Sequence, residues 1–230
     1  MKRLGVHTIV LVATLLILSG CADGQWVGPE SGGASEPARA VPDQALVEDL
    51  RKGGYIMYFC HAATEPETLE GPETLGHRGA QRNLSEEGRA QAVAMGEAFR
   101  ELRIPVGEVL SSPYFRARDT AVLAFGRAEP TGELLGLRSD GGVRHRQREA
   151  DLMRLLSTRP PAGTNTVLVG HASNAEEYAG ISLEEGEAAV VEPLGDREFS
   201  FVARVSPEDW EDLSGAAEAN RPGRKMATPG

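Results

Sequence analysis

Tyr55-Ile56-Met57-Tyr58-Phe59 runs into Cys60-His61-Ala62, and this stretch decides the fold class. Five large apolar side chains in a row, without alternation, suit a strand covered on both faces, as in the parallel sheet of an α/β domain. Working outward, the same design recurs twice. Val109-Leu110 leads into Ser111-Ser112-Pro113, and Thr166-Val167-Leu168-Val169 ends at Gly170-His171. Helical segments fall between these runs. Ser85 is a good N-cap, Glu86 and Glu87 favour the positive end of the helix it opens, and Ala90, Val93, Ala94, Ala98 and Leu102 mark its apolar face before Pro105 stops it. Arg116 to about Phe125 reads as a second helix, and about Glu149 to Leu156 as a third, with Leu152, Leu155 and Leu156 apolar. Ala188 to Val191 is a further strand; Phe199, Phe201, Ala203 and Val205 alternate with polar residues as in a half-buried one. Strands separated by helices predict an α/β three-layer sandwich with a largely parallel central sheet, the late strand pair being the candidate antiparallel edge.

Ligands of such sheets bind beyond the carboxyl ends of the strands. His61, the Ser111-Ser112-Pro113 turn with Arg116, and His171 each follow one of the strands, so two imidazoles and a guanidinium are expected to converge at one sheet edge. That chemistry suits an anionic, phosphorylated ligand, because Arg presents a planar fork of donors to phosphate oxygens. Overall charge points away from nucleic acid: 24 Lys and Arg stand against 34 Asp and Glu, for a net −10. A local cationic pocket is compatible with that acidic balance. Five His and two Cys are too few for a metal-rich domain or a disulfide scaffold, and neither metal nor cofactor is expected. Phosphate-loop, dinucleotide and nucleophile-elbow glycine motifs do not occur in the sequence.

The two ends have a different character. Lys2 and Arg3, the apolar run Ile9 to Leu18, and Leu18-Ser19-Gly20-Cys21 resemble a bacterial lipoprotein signal, with residues 1–20 removed and Cys21 lipidated. A plain secretory signal or an uncleaved anchor is the alternative. Residues 21–41, rich in Gly, Ser, Pro, Glu and Ala, read as a flexible tether; 42–213 as the folded domain; and 214–230 as a disordered tail. The expected setting is extracytoplasmic (periplasmic or cell-surface), with the membrane reached through the lipid on Cys21.

Four stretches in order resemble the histidine phosphatase superfamily, which includes phosphoglycerate mutase-like and SixA-like enzymes: Tyr58 to Thr64, Gln81 to Ala92, Ser111 to Ala117 with Thr120-Ala121, and Val169-Gly170-His171. The resemblance implies that fold across roughly Asp43 to Leu213. It also implies that His61 is a transiently phosphorylated nucleophile, with Arg116 and His171 around the transferring phosphoryl group. In-line attack and positive donors around three equatorial oxygens are what phosphoryl transfer requires. The substrate would be a phosphorylated small molecule or a phosphoprotein.

One position departs from the family. An arginine normally precedes the nucleophile, and here that residue is Cys60. A thiol cannot clamp phosphate. Cys60 is not a substitute nucleophile either, since a cysteine phosphatase carries arginine six positions later, where this chain has Pro66. It is expected to be a small buried thiol. Arg78, Arg82 and Arg118 are the candidate replacement cations, with Arg82 taken as a phosphate ligand. For the general acid, Glu133 and Glu149 fall in the interval that one branch uses, and Glu149 is the choice; Glu187 reads as a structural residue. The expectation is a phosphomonoester hydrolase acting through His61, with Cys60 as the feature that would reduce its activity. The alternative is a non-catalytic relative that binds a phosphorylated ligand or a protein.

Overall fold

A computed structural model describes residues 42–66, 72–137 and 144–219. The leader 1–20, Cys21, the tether 21–41 and the last residues of the expected tail lie outside the described residues.

Six strands form one sheet in the order β3-β2-β4-β1-β5-β6. They are β1 (Ile56–Cys60), β2 (Val106–Ser111), β3 (Glu129–Pro130), β4 (Asn165–Gly170), β5 (Ala188–Gly195) and β6 (Glu198–Val205). β1, β4, β2 and β3 run parallel; β5 is antiparallel to β1, and β6 to β5. This is the largely parallel sheet with an antiparallel edge that the sequence predicts. Every residue of β1 and β4 is buried, as continuous apolar runs require of strands covered on both faces.

Because side chains alternate across a strand, β1 feeds two cores. Met57 and Phe59 pack with side chains of α1 (Gln44–Lys52), α2 (Glu86–Leu102), α3 (Phe115–Phe125) and α6 (Pro207–Ala219), including Trp210. Ile56, Tyr58 and Cys60 pack on the opposite face with α4 (His145–Ser157) and α5 (Ala172–Ala179). Helices on both faces of the sheet make the three layers.

One helix face and two helix boundaries differ from expectation. The buried face of α2 is Gly88, Ala92, Met95, Gly96, Ala98, Phe99 and Leu102, whereas Ala90 and Val93 are exposed. Two glycines cause the shift: a Cβ on Gly88 would lie 1.8 Å from the Ala63 carbonyl oxygen, and one on Gly96 2.2 Å from that of Ala124. A face chosen for close backbone approach carries no hydrophobic signal. α4 begins at His145, a turn before the expected start, so Glu149 does not open the helix. α6 continues through Ser214 to Ala219 instead of giving way to a tail after Leu213, because Ser214 is buried and the Ala residues beyond it favour helix.

Candidate active site

Sheet register sets the two histidines side by side. β1 and β4 are adjacent and parallel with Cys60 opposite Gly170, so His61 and His171 are the next residue on each. Across β4, Ser111 pairs with Val169, and the Ser112 amide donates to the Val169 carbonyl at 2.8 Å. Three strand ends thus place Ser112, His171 and His61 in a row. Arg116 enters from the first turn of α3, and its carbonyl accepts from Thr120 Oγ1 at 2.8 Å. The same Thr120 Oγ1 accepts from the Ala62 amide at 3.0 Å, tying the loop after His61 to that helix.

The predicted groups meet. The His61 and His171 ring centroids are 5.5 Å apart, and Arg116 Nη2 is 3.5 Å from His171 Nδ1. All three residues are buried. The Arg116 guanidinium lies over the Tyr114 ring, 4.5 Å from its centroid, and Tyr114 meets His171 edge-on. His171 Nε2 is 2.8 Å from Ser112 Oγ.

The two rings are wired differently. His61 Nδ1 is 3.0 Å from the Ala62 carbonyl oxygen, which can only accept, so Nδ1 carries the hydrogen and Nε2 the lone pair. Burial, and then the Arg116 charge, lower the His61 pKa to about 3, which keeps this ring neutral at physiological pH. Burial, Arg116 and His61 likewise push His171 well below the ordinary histidine range.

Cys60 is uncharged and apolar in its surroundings. It is buried among Tyr58, Leu168 and their neighbours, and burial raises its thiol to about 12. Beside it, Tyr58 holds the end of β4: its hydroxyl accepts from the His171 amide and donates to the His171 carbonyl, both at 3.0 Å. Gly170 is needed for this, since a Cβ there would stand 2.2 Å from the Tyr58 hydroxyl.

Of the candidate replacement cations, Arg78 pairs with Asp119 and lies over Phe115, while Arg118 also covers that ring. Arg82 reaches the site, with Nη2 3.4 Å from Glu185 Oε1. Glu149, expected as the general acid, is exposed on α4 one residue past buried Arg148, so the helix turns it away from the buried histidines. Glu133 pairs with Arg154. The carboxylate that does stand beside His61 is Glu185, which no strand or helix pattern in the sequence singles out. Its Oε1 is 3.9 Å from His61 Nδ1 and accepts from Thr64 Oγ1 at 2.7 Å; its Oε2 accepts from the Thr64 amide at 3.0 Å. Among the described residues no cluster of three or more His, Cys, Asp or Glu could hold a metal ion.

Residues 56–139 match the family model of the histidine phosphatase superfamily (branch 1). That segment carries His61, Arg82, Ser112 and Arg116, and β4 adds His171 to it. A structure of a putative alpha-ribazole-5'-P phosphatase from Escherichia coli superposes with a TM-score of 0.50 at 14% identity, covering 66% of this chain and 95% of that one. At that identity the likeness speaks for the histidine phosphatase fold alone. A protein histidine phosphatase SixA complexed with tungstate (15% identity, 67% of this chain and 98% of that one) gives 0.47. A putative phosphohistidine phosphatase SixA from Agrobacterium tumefaciens (19%, 67% and 98%) gives 0.46. No curated protein matches the chain in sequence.

Proposed function

We propose that this chain hydrolyses phosphomonoesters through a phosphohistidine at His61. The observation that carries the reading is a buried imidazole whose Nδ1–H is bonded to a backbone carbonyl, leaving Nε2 as the lone-pair nitrogen, beside Arg116 and His171. The Nε2 lone pair attacks phosphorus as the ester P–O bond breaks, and the leaving oxygen departs as an oxyanion that takes a proton from water. Water then attacks phosphorus, the N–P bond breaks with its electrons returning to Nε2, and inorganic phosphate leaves. Splitting one displacement into two lowers each barrier. Arg116 and His171 supply donors where charge develops on the equatorial oxygens.

The ligand is a phosphorylated small molecule or a phosphoprotein. The chain's own reach to the membrane is proposed through a lipid on Cys21, in an extracytoplasmic setting; labelling with a radioactive fatty acid, lost in Cys21→Ala, tests it. Incubation of the full chain with p-nitrophenyl phosphate should release phosphate, and His61→Ala should abolish the release. A second reading, a relative that binds the phosphorylated ligand without turnover, is favoured by Cys60, an apolar thiol next to the nucleophile. Phosphate binding by a chain that releases nothing from aryl phosphates would select it.

A further inference from the structure

Charge in phosphoryl transfer spreads over three equatorial oxygens. Arg116 and His171 are in contact with each other beside His61, and the residue preceding His61 is an uncharged thiol. We propose that Glu185 is a positioning residue that holds Arg82 beside His61 as the second guanidinium of the phosphate pocket. This rests on the phosphatase reading of the site.

The geometry is specific to one carboxylate oxygen. Glu185 Oε1 meets Thr64 Oγ1 at 2.7 Å, Arg82 Nη2 at 3.4 Å and His61 Nδ1 at 3.9 Å, so Arg82 is brought to the nucleophile through a single atom. Backbone contacts fix that atom from both directions. The Gly186 amide donates to the His61 carbonyl at 2.9 Å, and Thr64 forms an antiparallel bridge with Leu84, two residues beyond Arg82. The Arg82 charge acts on His61, Cys60 and His171 alike, as that of Arg116 does. A long side chain loses rotamer freedom when it orders, and a carboxylate that orders it beforehand reduces that loss when phosphate binds. Glu185 Oε1 comes within 3.9 Å of His61 Nδ1, the ring nitrogen that carries the hydrogen. Its partners, Thr64 and Arg82, account for both carboxylate oxygens.

The test is titration calorimetry of the full chain with inorganic phosphate, alongside p-nitrophenyl phosphate turnover. Arg82→Ala should weaken phosphate binding by about tenfold or more, and turnover by on the order of 10²-fold. Glu185→Gln should weaken binding several-fold and raise KM more than it lowers kcat. The double variant should be no worse than Arg82→Ala, because Glu185 acts through Arg82. Adding Cys60→Arg to Arg82→Ala should recover binding by restoring a cation next to His61; should that variant fail to fold, the Arg82/Glu185 cycle decides alone. Tighter binding in Glu185→Gln would mean that the carboxylate competes with phosphate for Arg82, and would overturn the proposal, as would additive losses. Phosphate binding that depends on Arg82 and Glu185 without any turnover removes the phosphatase reading and keeps the pocket assignment. Binding untouched by Arg82→Ala removes the assignment alone, and a wild-type chain that binds no phosphate removes both.

Discussion

His61 and His171 follow neighbouring parallel strands in the same register, are both buried, and both have depressed pKa values, yet their ring nitrogens are held differently. His61 has one nitrogen tied to the backbone of its own loop. His171 has both nitrogens engaged by side chains, Nε2 with Ser112 and Nδ1 facing Arg116. Residue type, burial and position in the sheet are therefore insufficient to assign a role. What separates a nucleophile from a phosphate-cradling group is which ring nitrogen the surroundings leave with a lone pair.

The widest separation between the two should appear on deleting each ring. On the proposed mechanism His61→Ala removes the attacking atom, so p-nitrophenyl phosphate turnover is expected to fall to background while calorimetry still detects phosphate binding. His171→Ala removes one donor and leaves the nucleophile, so turnover should drop by about 10²–10³ and remain measurable. Equal, complete loss of turnover in both variants, with both folded, would erase the distinction between the rings.

Acid stability offers a comparison independent of catalysis. An unfolded histidine titrates near 6.5, whereas folded His61 does so at about 3, and His171 is also depressed. Between those values the unfolded chain binds a proton that the folded chain does not, so unfolding is favoured as pH falls. The contribution is fully present above pH 6.5 and is lost on descending toward pH 3, at up to about 1.4 kcal/mol per pH unit for each ring. Urea unfolding at pH 7, 6, 5 and 4 should show a shallower acid decline in His61→Ala than in the wild type. Parallel declines would mean that His61 is protonated in the folded state.

The same contrast explains what was legible beforehand. β1 and β4 announce themselves because uninterrupted apolar runs stop abruptly at polar residues, and the convergence of His61, Arg116 and His171 follows from strands ending at one edge. Glu185 is different. Its place beside His61 depends on β5 lying antiparallel to β1 with Ala188 opposite Phe59, and alternation patterns do not specify that register. Glu149 failed for a phase reason. Successive residues on a helix are about 100° apart, so knowing that α4 exists, without its start at His145, cannot say whether 148 or 149 faces inward. α5, of 8 residues, carries too few apolar side chains to show a period, and β3 has 2 residues, paired with β2 at Leu110 and Ser111.

The smallest expected effect probes the wiring of His171. Arg116 Nη2 can only donate, so Nδ1 is the acceptor and Nε2–H donates to Ser112 Oγ. A phosphate oxygen arriving between Arg116 and His171 requires the reverse, an Nδ1–H that donates. A hydroxyl serves either arrangement, because Ser112 Oγ accepts from Nε2–H in one and rotates its own hydrogen toward Nε2 in the other. Ser112→Ala removes that adaptable partner while leaving the charge of Arg116 in place. The loss of one neutral hydrogen bond corresponds to about 0.5–1.5 kcal/mol, or roughly two- to tenfold in kcat/KM. Ser112→Thr keeps a hydroxyl and should recover most of it. Ser112→Ala at wild-type activity would show that His171 holds its ring state without the serine, leaving burial and Arg116 to distinguish it from His61.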